Sequence, residues 1–191
     1  MENKDKIILQ LCCDQGSDTI FYRENGYDVR LITKEIGVEN YHPPGNVYGI
    51  IANPPCTHFS FARTRAKTPR DLKEGMRLVK ECLRIIWECQ YKLESDHQRT
   101  SSLKFWALEN PSTGLLKWFL GKPRYIYCPS EFGAPHTKQT ALWGNFNAPA
   151  KPLFLNEQKT KRLVSQLTGG TSIKKSECYL EFAKHFYYNN K

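Results

Sequence analysis

The sequence contains no apolar run that approaches the roughly 20 residues needed to cross a bilayer. No small-residue cleavage site follows the short apolar stretch in its first segment, MENKDKIILQLCC. We therefore expect a cytoplasmic chain that has no membrane partner. Internal repeats and low-complexity tracts are also missing, so the organisation of the chain must be inferred from its alternating apolar segments and breakers.

The seven cysteines include no CxxC pair, and no Cys/His cluster of zinc type occurs. An odd number of cysteines with this spacing predicts reduced thiols and no bound metal.

Acidic residues are the minority among the charges, with 19 Asp and Glu against 28 Lys and Arg, which gives a net charge of +9. This balance favours a polyanionic partner such as DNA, although a basic surface can also serve solubility. With 40% hydrophobic and 13% aromatic residues, the chain can build one sizeable core and hardly two. A single domain over residues 1–191 is expected.

Apolar segments alternate with turn signals along the chain. KIILQLCC predicts a strand, and TIFYRENGYDVRLI predicts a helix, a helix end at Gly26 and a second strand. VYGIIA predicts a third strand, and LKFWALENP a fourth that ends at Glu109. YIYCPSEFG and TALWGNF predict a later pair of strands.

Two longer helices are also predicted. In TPRDLKEGMRLVKECLRIIWECQYKL, Thr68 suits the cap, Pro69 the first helical position and Asp71 the first turn. An apolar stripe follows at spacings of three and four residues: Leu72, Met76, Val79, Leu83 and Ile86. The tail SECYLEFAKHFYYNN has helical spacing at four positions: Tyr179, Phe182, Ala183 and Phe186.

Strands that alternate with helices imply a doubly wound, Rossmann-like α/β sheet. In such a sheet, ligands bind beyond the carboxyl ends of the strands. The polar segments DQGS, NPPC and ENP all fall at predicted strand ends, so we expect the functional site there.

Four motifs in order resemble the conserved loops of cytosine-5 DNA methyltransferases. LCCDQGS is similar to the cofactor loop of that family, NPPCTHFSFA to its Pro-Cys loop, ENP to its Glu-Asn loop and FGAPHTKQT to its base-contacting loop. The resemblance is to the short phage-type branch and runs from about Ile7 to Asn190, where the tail is similar to a closing helix. It implies the fold of S-adenosylmethionine-dependent methyltransferases, with methyl transfer to carbon 5 of cytosine in DNA.

The resemblance assigns the catalytic roles to Cys56, Glu109 and Asn110. Carbon 5 of cytosine is a poor nucleophile, and attack by a thiolate on carbon 6 turns the ring into an enamine that accepts a methyl group. Cys56 would be that thiolate, with its pKa lowered by local dipoles where the loop leads into a helix. Glu109 would hold a proton against ring nitrogen 3, and Asn110 would brace the Pro-Cys loop.

These residues also allow structural interpretations. Cys56 can be a small buried thiol, which is the commoner fate of cysteine. Asn110 can stand before proline for backbone reasons alone, although turn chemistry does not explain the acid that precedes it.

The resemblance places S-adenosylmethionine at eight residues: Cys12, Asp14, Gln15, Gly16, Ser17, Asn53, Pro54 and Ser176. Gln10 replaces the usual Asp of the family, and Asp14 replaces the first glycine of its Gly-x-Gly turn. Asp14 adds a Cβ atom and a negative charge where backbone amides would face the cofactor carboxylate. The second strand ends in LITKEIG, so Glu35 would reach the ribose hydroxyls only after a shift of register.

The DNA substrate is expected to contact three residues: Pro55, Ser60 and Lys138. In FGAPHTKQT, Gly133 and Pro135 match the family pattern Gly-x-Pro-Gln-x-Arg-x-Arg, whereas His136, Lys138 and Thr140 replace Gln, Arg and Arg. Lys138 suits the ring oxygen or a phosphate, but it lacks the bidentate fork of arginine. It can equally be a solvated surface lysine.

Only residues 145–169 stand where larger relatives carry a target-recognition domain. Sequence selectivity should therefore be low, or supplied by a protein partner. The basic segments RTRAKTPR and EQKTKRLV suit phosphate contacts, or each is an ordinary solvated face.

Two functions stay open. A phage or mobile-element DNA methyltransferase is favoured because Cys56, Glu109 and Asn110 are all retained. A degenerate member that binds DNA or a protein partner without catalysis is favoured by Gln10 and Asp14. A zinc-dependent deaminase is set aside, because its His-x-Glu and Pro-Cys-x-x-Cys pattern does not occur.

Overall fold

The computed structural model describes residues 2–63, 66–91, 101–152, 162–163 and 178–191. The strands are β1 Ile7–Leu11, β2 Asp28–Ile32, β3 Val47–Ala52, β4 Phe105–Pro111, β5 Tyr125–Tyr127, β6 His136–Thr137, β7 Thr140–Asn145 and β8 Arg162–Leu163. The α-helices are α1 Ile20–Glu24, α2 Leu72–Gln90, α3 Lys117–Leu120 and α4 Leu180–Asn189. Short 3₁₀ turns cover Asn3–Asp5, Ser17–Thr19 and Pro129–Phe132.

Six of the strands form one sheet in the order β2-β1-β3-β4-β7-β5. The first four pair in parallel, whereas β7 runs antiparallel to both β4 and β5. The backbones of β6 and β8 pair separately. The expected α/β architecture with a mostly parallel sheet is therefore confirmed, and it is compatible with a Rossmann-like fold.

The sheet is buried on both faces. Every residue of β1 is buried, because an inner parallel strand has helices or loops above and below it. On one face the sheet packs against α2 through Val79, Cys82 and Ile85. On the other face, α1 and α4 bring aromatic side chains together with Ile8 and Phe105.

The helix α2 begins three residues later than its predicted Pro69 start. Its cap is Asp71, whose carboxylate accepts the Glu74 N–H at 2.9 Å. The prediction of Thr68 as the cap was wrong, because its hydroxyl instead accepts a hydrogen bond from Arg63 at 2.7 Å. The predicted stripe is also shifted, since Leu72, Met76 and Leu83 are only half-buried while Cys82, Ile85 and Cys89 fill the interface.

The remaining elements follow the predictions closely. Gly26 ends α1 in the left-handed region, with φ of 79°. The strand β4 continues past its predicted end at Glu109, because Asn110 and Pro111 still pair with β7. The tail forms α4, which buries Phe182, Ala183 and Phe186 and begins just after Tyr179. Within the described ranges, no helix has the length and apolar character to cross a membrane.

Candidate functional site

The carboxyl ends of β1, β3 and β4 bring the predicted motifs to one edge of the sheet. From β1 the chain goes outward to β2 and then returns past β1 to β3, so the winding reverses between β1 and β3. In doubly wound sheets, ligands bind in the crevice at this reversal. The loop after β3 is tied to β1, because the Asn53 N–H donates to the Leu11 carbonyl at 2.9 Å.

Asn110 connects the end of β4 to the Pro-Cys loop. This side chain is completely buried, and its Nδ2 atom donates to the carbonyl of Pro54 at 3.0 Å. The bracing contact expected from the sequence is therefore present. Asn110 Oδ1 is buried and has no hydrogen-bond partner among the described residues.

Hydrogen bonds hold the part of the Pro-Cys loop that follows Cys56. The carbonyl of Cys56 accepts the N–H groups of Phe59 and Ser60 at 2.9 and 2.8 Å, which closes a single turn. Arg70, just before α2, donates to the carbonyls of His58 and Ser60 at 2.6 and 3.2 Å. These contacts fix the backbone on the carboxyl side of Cys56, while Pro55 on the other side is exposed.

Glu109 and Lys138 form an ion pair at the same edge. Their Oε1 and Nζ atoms are 3.5 Å apart, and the side chains are only 16% and 27% exposed. The attraction of Glu109 raises the pKa of Lys138 and outweighs the opposite effect of burial. The interpretation of Lys138 as a solvated surface lysine was therefore wrong.

Cys56 lies within the field of this ion pair. Burial raises the pKa of its thiol, the charge of Glu109 raises it further, and Lys138 acts in the opposite direction. The expectation that local dipoles lower this pKa was wrong, because a turn and not a helix follows Cys56, and desolvation dominates.

Two site residues, Asp18 and Cys178, were not predicted. They line one cavity together with Glu109 and Tyr127. Burial and the charge of Glu109 raise the pKa of Asp18 to about 6. Burial and the charge of Asp18 hold the pKa of the Cys178 thiol well above its ordinary value.

The sequence gives little indication of this pair. Asp18 follows Asp14 by four residues in the same loop, so a search for every acid beyond β1 would have included it. No local pattern marks Cys178, which reaches the site because α4 packs over the sheet. Its backbone N–H donates to the Ser17 hydroxyl at 2.9 Å and so joins the tail to the cofactor loop.

Gln10 stands where cytosine-5 methyltransferases have Asp, and its side chain is hydrogen-bonded to several residues of the site. Its Nε2 atom donates to Asp18 at 2.8 Å and to Asn53 Oδ1 at 3.4 Å, and its Oε1 atom accepts from Thr19 at 2.7 Å. Gln10 is only 2% exposed. Asp18 thus places a carboxylate directly beside this position.

The turn after β1 requires glycine at Gly16, because its backbone is left-handed and its Cα faces Leu31. Gly16 has φ of 75°, and a Cβ atom on it would lie 2.8 Å from Leu31. Asp14 and Gln15 are exposed, and Asp14 does not have the positive φ that favours glycine. The expected crowding by the Cβ atom of Asp14 was therefore wrong, and only its charge distinguishes it from glycine.

The other predicted cofactor residues have different surroundings. Cys12 adopts φ of 56°, and its sulfur lies 3.7 Å from that of Cys82. Pro54 is buried, and Asn53 is half-buried. Glu35 is exposed and accepts a hydrogen bond from Thr33, and no register shift brings it nearer to β1. Ser176 lies outside the described residues.

No protein-family model matches the sequence, and a comparison with curated proteins also gives no match. The fold and the site define a mixed α/β protein with a thiol, two carboxylates and a lysine at the ligand edge of its sheet. No group of three or more His, Cys, Asp or Glu in the described part of the chain is arranged to hold a metal ion.

Proposed function

We propose that this protein is a DNA cytosine-5 methyltransferase in which Cys56 is the nucleophile. The observation that carries the proposal is the electrostatic interaction of Cys56 with Glu109 and Lys138, three groups that come from the Pro-Cys loop, β4 and the loop before β7. The hydrogen bond from Asn110 to Pro54 joins β4 to the Pro-Cys loop, and the site lies at the carboxyl edge of a compatible fold.

The thiol proton of Cys56 must leave as the sulfur attacks. Burial and the charge of Glu109 both raise the pKa of this thiol, so a free thiolate is disfavoured before the substrate is in place. Transfer of the thiol proton to Glu109 during the attack, and from Glu109 to ring nitrogen 3, leaves the total charge of the site unchanged. Lys138, which lowers the thiol pKa, favours the developing thiolate.

The subsequent chemistry uses the same groups. The thiolate of Cys56 forms a bond to carbon 6 of cytosine while the proton of Glu109 moves to nitrogen 3. At the end of the reaction, the proton on carbon 5 passes to solvent, its electron pair restores the ring double bond as the Cys56 thiolate departs from carbon 6, and the proton on nitrogen 3 returns to Glu109. S-adenosylmethionine, when bound, supplies the electrophilic methyl group.

We propose that this cofactor binds in the crevice between β1 and β3. The half-buried carboxylate of Asp18 suits a cationic group such as the cofactor ammonium, and Asn53 offers a polar side chain beside it. Backbone groups of the tight turn at Gly16 would face the rest of the ligand. The exposed charge of Asp14 opposes the cofactor carboxylate, which predicts modest affinity.

The second candidate is a degenerate protein of the methyltransferase type that binds DNA or a protein partner without catalysis. It is favoured by the hydrogen bond between Ser17 and the Cys178 backbone, which ties the cofactor loop to the tail. It is also favoured by the raised pKa of the Cys56 thiol.

Trapping with 5-fluorocytosine separates the two candidates. Fluorine at carbon 5 blocks the loss of a proton that releases the enzyme, so DNA with this base should become covalently attached to Cys56 when S-adenosylmethionine is present. Cys56→Ala should abolish the adduct, whereas Cys128→Ala, a buried cysteine outside the cavity, should retain it. DNA binding without any adduct would establish the non-catalytic candidate. An adduct that persists in Cys56→Ala would assign the nucleophile to another residue.

A further inference from the structure

The outer part of the Pro-Cys loop, the segment before α2 and the segment that contains α3 form one surface, which we call the aromatic-basic face and define as residues 56–63, 66–70 and 111–120. The Leu115 N–H donates to the Phe59 carbonyl at 3.0 Å. The rings of Phe59 and Phe119 meet edge to face, with centroids 6.3 Å apart. The short helix α3 is therefore held against the loop that carries Cys56.

The charge of these segments has one sign. In sequence, residues 56–70 and 111–120 contain no Asp or Glu, but they contain five basic residues: Arg63, Arg65, Lys67, Arg70 and Lys117. Arg63 and Arg70 donate to loop carbonyls and a hydroxyl, so these hydrogen bonds leave their charges uncompensated. A polyanion is the ligand that complements such a face.

Three aromatic side chains of the same face are exposed to solvent. Trp118 is 77% exposed, Phe61 55% and Phe119 48%. Their backbone positions are nevertheless fixed, because the neighbouring Phe59 and Leu116 are completely buried. The result is a set of flat apolar groups on a rigid support among cations, which is the combination that binds unpaired nucleic acid.

We propose that the aromatic-basic face binds single-stranded DNA and presents it to Cys56. This inference rests on the proposed function and names the form of its substrate. Bases in a duplex stack on one another and hide their faces, whereas bases of a single strand are free to stack on Trp118 and Phe61. Lys117, whose Nζ atom lies 5.8 Å from the centroid of the Trp118 ring, is placed to hold a phosphate beside the stacked base. A single strand also needs no base flipping out of a helix.

Binding of a labelled single-stranded oligonucleotide of mixed sequence, and of its duplex, tests the proposal by fluorescence anisotropy. The wild type should bind the single strand more tightly at the same salt concentration. Trp118→Ala should weaken that binding by about five- to a hundredfold, the effect of losing one base stack. Trp118→Phe should restore most of it, because a stacking ring remains.

Trp87→Ala is the matched control. Trp87 is 64% exposed, but it lies near the far end of α2, about 22 Å along the helix from its start beside the Pro-Cys loop. Its loss should change the affinity by less than about twofold, since it has no base to stack on. The salt dependence adds a second measurement: Lys117→Gln should lower the slope of log K against log salt by about 0.7, whereas Trp118→Ala should leave it unchanged.

Preferential duplex binding, or equal losses in Trp118→Ala and Trp87→Ala, would overturn the inference. Binding that is insensitive to Trp118 would also overturn it. Formation of the 5-fluorocytosine adduct tests the proposed function independently of this surface. An adduct with duplex DNA that is independent of Trp118 preserves the methyltransferase alone, whereas Trp118-dependent binding without an adduct preserves only the single-strand surface.

Discussion

Asn110 is fully buried at the end of β4 and donates a 3.0 Å hydrogen bond to the carbonyl of Pro54, two residues before Cys56. The bond crosses from one strand end to the next, so the position of the nucleophile depends on a side chain 54 residues further along the chain. A buried carbonyl that loses its donor keeps its full desolvation cost.

Asn110→Ala should therefore destabilise the protein by about 1–3 kcal/mol, because it leaves the Pro54 carbonyl without a partner. It should also slow adduct formation at Cys56 more than the loss of stability explains. Urea unfolding and trapping under conditions where both proteins remain folded measure the two effects. Asn25→Ala, which removes an exposed local hydrogen bond, provides the control. An unchanged trapping rate in Asn110→Ala would contradict a role for Asn110 in positioning the loop.

The titration of Cys56 should respond in opposite directions to its two charged neighbours. Lys138→Gln removes the cation that lowers the thiol pKa, so this pKa should rise and alkylation by iodoacetamide should slow at a fixed pH. Glu109→Gln removes the anion that raises the thiol pKa, so alkylation should become faster. Peptide mass spectrometry over a range of pH resolves Cys56 from the other six cysteines.

Lys151→Gln is the control for this titration, because Lys151 pairs with Glu131 at 2.8 Å in an exposed position outside the cavity. Its alkylation profile at Cys56 should match that of the wild type. If Lys138→Gln and Glu109→Gln shift the pKa of the Cys56 thiol in the same direction, packing and not charge controls this pKa.

Asp18 should make the protein less stable as pH rises. Its folded-state pKa is raised to about 6, so between about pH 4 and 6 the folded protein holds a proton that the unfolded chain has lost. The free energy of unfolding therefore falls across this window, and the loss is complete above it. Asp18→Asn should be more stable than the wild type at pH 8, by at most about 3 kcal/mol, and similar to it near pH 4.

Urea unfolding at both pH values measures this difference. Asp14→Asn serves as the control, because Asp14 is an exposed acid of the same loop and should show no comparable gain at pH 8. A gain of equal size at both pH values would assign the effect of Asp18→Asn to packing.

Asp14→Gly should improve the affinity for S-adenosylmethionine. The backbone of Asp14 needs no glycine, so the gain would come from removing a charge that repels the cofactor carboxylate. Two like charges about 6 Å apart repel by roughly 3 kcal/mol at an effective dielectric constant near 20, which limits the gain to about a hundredfold. Calorimetric titration of both proteins, with Asp14→Asn as a second neutral variant, measures it. Weaker binding by both variants would mean that Asp14 contributes to the site.

The sequence was most informative where a local pattern has one physical solution. The largely apolar run of β1 suits an inner strand, and Gly26 suits the left-handed position just after α1 because it carries no Cβ atom. The helical spacing of the tail predicted the burial of Phe182, Ala183 and Phe186 in α4 but did not include the buried Tyr187. Strand ends then followed from these elements, and with them the shared edge of Cys56 and Glu109.

Local pattern was insufficient where several residues could serve the same purpose. Thr68 and Asp71 are both residue types that cap helices. In the structure Asp71 is the cap, and the Thr68 hydroxyl accepts a hydrogen bond from Arg63 instead. The pKa of Cys56 could not be predicted either. Its direction depends on burial and on two charges from distant loops, and not on the motif that surrounds it.

The sequence by itself determined the strands, the main helices and the motifs at the strand ends, because periodicity and turn chemistry act over a few residues. The tertiary structure alone decided that Asp18 and Cys178 join Glu109 in one cavity and that Lys138 pairs with Glu109. These groups are far apart in the chain and meet only when α4 and the loop before β7 close over the sheet. Burial then strengthens their mutual interactions, since water no longer screens the charges.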